Sequence, residues 1–400
     1  MSLFLNIQPL EDVRATIRSI APEMEVESVP LTEAYDRILA APITADADIP
    51  PFARSVVDGY AVVAADTTGA SESVPAMLAF RGRVGMGEIP AVPVSPGECL
   101  YVPTGGVLPE GADAMVMVED CEQIGDEVLV TRPVAPGENI IQRGEDFSAG
   151  QVVLEAGRRL SPRDLGVLAA LGRSGVAVRM QPVVGIISTG NELVPVSQTP
   201  GPGQIRDVNS SLCSAFIQEQ GGIPIFYGIV RDERELLAKT LNAARAECDL
   251  ILISGGSSKD ERDVCASVIE STGEVLVHGI AIAPGKPTII GKSGRVPIIG
   301  LPGHPASAFV VLIAIVGELI AEMTGETRIP STTSAVLASP VASAKGRDDY
   351  VRVTIKDGTA EPVFGKSGLL NTLVASSGLI VVPANREGLD AGEQVEVILW

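Results

Sequence analysis

Three short stretches carry residue types suited to holding an anion. "IISTGNEL" (Ile186 to Leu193), "ILISGGSS" (Ile251 to Ser258) and "IIGLPGHPAS" (Ile298 to Ser307) each follow an apolar run with glycine and small hydroxyl residues. Glycine lets a ligand approach the backbone closely, and Ser or Thr adds hydroxyl donors beside exposed N–H groups. One such loop alone reads as an ordinary turn, whereas three of the same kind point to a shared anion site. The candidate binding residues are Ser188, Thr189, Gly190, Ser254, Gly255, Gly256 and Ser307. Pro305 suits the first position of a helix, which leaves free N–H groups near Ala306 and Ser307.

Carboxylates crowd the same loops: Glu192, Asp207, Asp232, Asp260, Glu261 and Asp263. They would repel a phosphate unless a cation mediates. Magnesium does so with one or two carboxylates plus phosphate oxygens and its remaining waters. Glu192 is the leading ligand, with Asp232 and Asp263 as further ligands that read equally well as helix caps. In "APGKPTIIG", Lys286 stands between Pro284-Gly285 and Pro287, whose rigidity aims its stem. At about 4 Å from a phosphate oxygen such a charge pair is worth roughly 4 kcal/mol at an effective dielectric of 20. Asp58 in "SVVDGYAV" and Thr104 in "YVPTGGVLPEGADAMVMVED" also combine Gly turns with small polar groups, and by themselves read as hairpin turns.

The elements that must position these residues follow from periodicity. From about Pro182 strand and helix alternate: "VVGII", a helix from Asn209, "IPIFYGIV", a helix from Asp232, "LILI", a helix from Asp263, "VPIIG" and a helix from Pro305. Asp232 and Glu235 form a capping-box-like start, with Leu237, Leu241 and Ala244 as the buried stripe. The alternation predicts parallel strands with helices on both faces, and such sheets bind ligands beyond the carboxyl ends of their strands.

Upstream, Val13, Ile17 and Ile20 after Pro9 predict a helix, followed by a short helical pattern that Pro42 must end. Short β runs such as "AMVMV" and "DEVLV" come next, with a turn at Gly125-Asp126. Ser161-Pro162-Arg163-Asp164 then starts a helix that stops by Gly172. Helical flanks on both sides imply a β domain inserted into a helical one. After Pro330, "DDYVRVTI" alternates Val351, Val353 and Ile355 with Arg352 and Thr354, and turns at Asp357-Gly358, as in a separate β domain.

Composition narrows the partners. Lys and Arg total 30 against 50 Asp and Glu, a net charge of −20 that repels nucleic acid and anionic lipid at long range. The five cysteines lack a C-x-x-C pair, as expected in a reducing cytoplasm. His278 and His304 are the only histidines, so Cys/His zinc clusters are disfavoured. Met1 to Leu10 lacks a signal-peptide pattern, and the longest apolar run, "AFVVLIAIV", is broken by Gly317 and Glu318, so no membrane span is expected. No G-x-G-x-x-G follows the first strand of the alternating region, which argues against a nicotinamide dehydrogenase.

Taken in order, "SVVDGYAV", "PTGGVLPEGADAMVMVED", "RGEDF", "STGNEL", "GQIRDVNSS", "SGGSSKDERD", "PGKPT" and "GLPGHPAS" resemble the MoeA family of molybdopterin molybdenumtransferases, to which the gephyrin E domain is related. The resemblance spans nearly the whole chain. It implies an α/β plus β multidomain, elongated subunit: a discontinuous helical dimerisation domain (1–48 and 138–180), an inserted β domain (49–137), a MogA-like α/β domain (181–329) and a C-terminal β-barrel (330–400). It also implies a homodimer that brings the insert of one subunit to the α/β domain of the other. The reaction implied is insertion of molybdate into adenylylated molybdopterin with release of AMP, aided by Mg2+ in the cytoplasm, alongside other cofactor-biosynthesis proteins. By motif, Asp58, Thr104 and Asp146 would come from the insert and its flank. Glu192, Asp232 and Asp263 would face metal and adenylate. Lys286 and Ser307 would meet the oxyanion, with Arg347 or Arg352 reaching in from the last domain.

Departures at three positions bear on activity. Ala283 stands where many members carry lysine, Gly279 replaces a further basic position, and Asp260 occupies a position expected to be glycine. The lost positive charge favours a weaker oxyanion site or a different metal partner such as tungstate, and it supports an alternative reading as a non-catalytic molybdopterin-binding scaffold. Lysine restored at Ala283 is expected to tighten molybdate binding.

Overall fold

The computed structural model describes residues 6–255 and 259–400, with backbone alone over 259–263. The chain divides into two compact units: Met1–Ala40 with Ala156–Ser161 and Gly175–Trp400, and Ala41–Glu155 with Pro162–Ser174.

In the larger unit the alternating region builds one six-stranded sheet. Its strands are β1 (Val183–Thr189), β2 (Ile223–Val230), β3 (Leu250–Ser254), β4 (Glu274–His278), β5 (Ile289–Ser293) and β6 (Val296–Leu301), lying side by side as β2-β1-β3-β6-β5-β4. The first four in that order are parallel, but β5 runs antiparallel to both its neighbours, β6 and β4, which corrects the all-parallel expectation at one edge. Only Gly294 and Arg295 separate β5 from β6, too few residues for the crossover that parallel strands need.

The helices are α1 (Asn209–Glu219), α2 (Arg234–Arg245), α3 (Lys259–Thr272) and α4 (Pro305–Thr324), the last with a π turn over Leu312–Val316. Strand alternation sorts the core. Val184, Ile186, Leu250, Leu252, Ile299 and Leu301 pack with α1, α4 and Leu10, Val13 and Ile17 of the N-terminal helix Leu10–Ile20. Ile251, Ile253 and Ile298 pack with Leu237, Leu241 and Ala244 of α2 and with α3. Each buried Leu of that stripe contributes about 1.5–3 kcal/mol relative to exposure.

Two helix boundaries differ from expectation. α2 begins after Glu233, because the Asp232 carboxylate is engaged elsewhere. α3 begins at Lys259 rather than Asp263, drawing on the helix propensity of Lys, Glu and Arg in "KDERD". α4 continues through Gly317 and Glu318: a Cβ at Gly317 would come 2.6 Å from Arg328 Nη1, and Glu318 pairs with Arg14 and Arg18. α4 is long and apolar enough to cross a membrane by length and composition, but 78% of its most apolar stretch is buried within the protein.

The tail closes a five-stranded barrel, Asp348–Lys356, Thr359–Pro362, Thr332–Leu337, Gln394–Leu399 and Gly378–Val382, the last pairing back to the first. Val351, Val353 and Ile355 join its core. Arg352, expected outward, is buried as well.

In the smaller unit a six-stranded sheet runs Ala114–Met117, Gly59–Val62, Glu98–Val102, Ala76–Arg83, Glu127–Val130 and Cys121–Ile124. Segments 1–48 and 138–180 are less helical than expected. Among the described residues their α-helices are Leu10–Ile20 and Pro162–Ala170, and the rest includes antiparallel ladders, Val26–Pro30 with Gly175–Arg179 and Ile43–Thr44 with Val152–Leu154. The helical pattern before Pro42 yields only the 3-10 turn Leu31–Glu33, and Asp36 at φ 63° cannot continue a helix.

Candidate active site

The three hydroxyl-rich loops leave adjacent strand ends. Ser188 of β1 stands in register with Ser254 of β3, and Ser254 with Leu301 of β6. The loop carrying Lys286 opens at the same edge, since His278 of β4 pairs with Ile289 of β5 and Ile289 with Gly300 of β6. Four connections therefore converge on one rim, as expected for the carboxyl ends of an open sheet.

A cavity of about 590 Å3 lies at this rim, and Thr189, Glu192, Asn209, Ser254, Gly255 and His304 are among its lining residues. Gly255 is obligatory there: at φ 148° a Cβ would stand 2.0 Å from the Thr189 carbonyl oxygen. Gly190 lines a neighbouring cavity of about 750 Å3 with Asn191 and Arg231.

Beneath the cavity the polar groups are paired. Ser188 Oγ donates to Asp207 Oδ2 at 2.6 Å, and Asp207 Oδ1 accepts the Ser210 N–H at 3.1 Å, holding the first turn of α1. Thr189 Oγ1 donates to Asp232 Oδ1 at 2.6 Å, while the Asn191 N–H reaches Asp232 Oδ2 at 3.1 Å. Asp232 is thus an acceptor for the β1 loop and not the cap of α2 that its spacing predicted. Glu192 is half-buried at the cavity wall, and among the described residues its carboxylate receives no hydrogen bond or ion pair.

The other expected residues sit as follows. Lys286 is exposed on its loop, outside the lining of the cavity. Ser307 is buried in the first turn of α4. The Ala306 N–H, expected to be free, donates to the Ser367 carbonyl at 3.1 Å, so the barrel loop caps this helix. Arg347 pairs with Asp349, and Arg352 donates to the Gly365 carbonyl at 3.0 Å, with burial lowering its pKa. Ala283 lies on the short strand Ile282–Ala283, in register with Asp349. Gly256 and the side chains of Asp260 and Asp263 lie outside the described residues.

In the smaller unit, Asp58 and Thr104 come together across 46 positions of sequence. Asp58 Oδ1 accepts the Thr104 N–H at 2.8 Å and its hydroxyl at 3.2 Å. Both residues are exposed. Asp146, also exposed, is held on a separate turn by its N–H to the Ile49 carbonyl at 3.0 Å.

Four contributors were not anticipated from the sequence. Asn209 lay inside a noted motif without a role. His304, one of only two histidines, offered a signal, and its Nδ1 stands 3.0 Å from Ser367 Oγ. Gly368 and Leu370 of the barrel also line the cavity, and nothing local in the sequence announces that.

Family models match along the chain in order: the MoeA N-terminal region (domain I and II) over residues 8–172, a probable molybdopterin binding domain over 185–322, and the MoeA C-terminal region (domain IV) over 334–400. A putative molybdopterin biosynthesis protein of Methanocaldococcus jannaschii is 35% identical, covering 100% of both chains. The chain belongs to the MoeA family. A molybdopterin molybdenumtransferase of Bacillus subtilis is 32% identical over 98% of this chain and 94% of its own. The MoeA crystal structure from Pyrococcus horikoshii OT3 superposes with a TM-score of 0.87 at 35% identity, covering 99% of this chain and 100% of that one. The match to a probable molybdopterin binding domain covers the α/β sheet from Gly185 of β1 onward and all four rim loops.

Proposed function

We propose that this MoeA-family enzyme inserts molybdate into adenylylated molybdopterin, with hydrolysis of the phosphoanhydride and release of AMP. The observation that carries this reading is the convergence of three strand-end connections on one cavity, with the Lys286 loop opening at the same sheet edge, all four lying within the segment matched by the molybdopterin-binding model. Small residues at the rim admit the ligand close to the backbone, and the fixed hydroxyls and carboxylates orient it, so that binding holds phosphoanhydride and oxyanion in register.

The donor set fits a magnesium ion in one respect. Glu192 is a cavity-lining carboxylate, and Mg2+ needs only one or two such ligands when phosphate oxygens and water supply the rest. No group of three His, Cys, Asp or Glu side chains suited to a metal occurs among the described residues. Bound there, the ion would neutralise the phosphoanhydride. Asp232 serves first as the acceptor that fixes Thr189 and Asn191. Lys286, on the adjoining loop, supplies positive charge toward the oxyanion. A cytoplasmic homodimer, with Asp58 and Thr104 of one copy facing the rim of the other, belongs to the same reading and rests on the family resemblance.

Ala283 and Gly279, where basic residues are expected, favour a second reading in which the chain binds the pterin without turnover. AMP release from adenylylated molybdopterin, assayed with magnesium and with molybdate or tungstate, separates the two. Release dependent on the oxyanion supports the transferase. Tight uptake without release supports the scaffold.

A further inference from the structure

We propose that Asn209 is a positioning residue that ties two rim loops together and sets the Ser254 hydroxyl as the donor meeting a ligand phosphate oxygen. The phosphate ligand itself rests on the function proposed above.

A hydroxyl carries one proton, and its direction follows from its neighbours. Ser188 gives its proton to Asp207 and Thr189 gives its own to Asp232, both at 2.6 Å. An ionised carboxylate has no proton to return, so neither hydroxyl has a proton left to offer a ligand, and Ser188 is moreover fully buried outside the cavity lining. Their residue types alone suggest anion donors. The hydrogen bonding reverses that.

Ser254 differs. Asn209 Nδ2 lies 2.9 Å from Ser254 Oγ and 2.9 Å from the Gly303 carbonyl oxygen. A carbonyl can only accept, so the amide must turn its NH2 end to Gly303, which fixes its orientation without ambiguity. Ser254 Oγ then receives one of the two amide hydrogens and retains its own proton. Among the described residues nothing accepts that proton, and Ser254 lines the cavity.

Asn209 is itself 6% exposed, and its Oδ1 is buried without a hydrogen-bond partner. An unsatisfied buried acceptor costs free energy, so the amide is held by its two donated bonds at the expense of the third. One side chain thereby joins the end of β3 to the loop after β6. The preceding Asp207, which holds Ser188, secures the end of β1 from the same segment.

The test measures equilibrium binding of AMP and of adenylylated molybdopterin, together with AMP release, for Asn209→Ala, Asn209→Asp, Ser254→Ala, Ser254→Thr and the Asn209→Ala/Ser254→Ala pair. Thermal melting establishes that each variant folds; if Asn209→Ala does not, the near-isosteric Asn209→Asp carries the same comparison. Loss of one hydrogen bond to a charged group should weaken both ligands about ten- to a hundredfold in Asn209→Ala and Ser254→Ala. Asn209→Asp should be no better, because its carboxylate takes the Ser254 proton. Ser254→Thr, which keeps the hydroxyl, should bind like the unaltered chain. The double variant should be no weaker than the worse single one, since both remove the same donor. Unchanged binding in Asn209→Ala, or a double loss equal to the product of the single losses, overturns the inference. A chain that binds both ligands yet releases no AMP sinks the proposed reaction, while the affinities still decide the role of Asn209.

Discussion

The α/β rim and the Asp58–Thr104 turn both use a carboxylate to hold a hydroxyl, but under opposite conditions. Asp207 is 3% exposed and takes its two bonds from Ser188 and Ser210, so burial obliges the protein to satisfy it. Asp58 is exposed, and water can satisfy whatever Thr104 does not. Buried pairing sets donor directions before a ligand arrives and also supports the fold. Exposed pairing shapes a turn while leaving the carboxylate accessible for chemistry.

Asp207→Ala puts that contrast to its severest test. It strands the Ser188 hydroxyl and the Ser210 N–H, and should lower unfolding free energy by about 2–4 kcal/mol in urea titrations. A loss below about 1 kcal/mol would remove the distinction between the regions. Asp58→Ala should cost only about 0.5–1.5 kcal/mol by the same measurement, while AMP release falls in a chain that remains folded. Equal losses at the two sites would mean that the turn is as structural as the rim.

Acid sharpens the contrast further. The Ala149 N–H, and then Arg143, hold the half-buried Asp48 carboxyl below its ordinary range. A depressed folded-state pKa contributes stability above the unfolded value and loses it as pH falls through the folded one. Acidification below about pH 4 should therefore weaken the smaller unit slightly, and Asp48→Asn should flatten that slope in pH-dependent hydrogen exchange. The smallest effect is an absence of reaction. Burial pushes Cys213, behind the rim, up to about 12, and Cys121 of the insert likewise although it is only half-buried. Both should resist alkylation at pH 8 in the native chain and react once it is unfolded. Fast labelling of Cys121 alone would show that the insert opens locally while the rim does not.

Much of this site was legible beforehand because loops at strand ends declare themselves by composition. Gly255 is needed where no Cβ fits, and Ser254 and Thr189 follow apolar runs that could only be strands. Less legible was whatever depends on a partner far along the chain. Asp232 looked like a cap because its spacing to Glu235 matched one, yet Thr189, 43 positions earlier, captures it. The Ala306 N–H looked free because Pro305 opens a helix, yet Ser367 closes it from the barrel. The antiparallel edge was foreshadowed by the short Gly294-Arg295 connection, although alternation of strand and helix argued otherwise.

Residue order alone determined which segments are strands, where glycine is compulsory and which family the motifs resemble, because these follow from local sterics and the periodicity of burial. Tertiary structure alone decided which way each rim hydroxyl points its proton. That choice belongs to whichever acceptor or donor the fold delivers within about 3 Å, and no spacing along the chain encodes it.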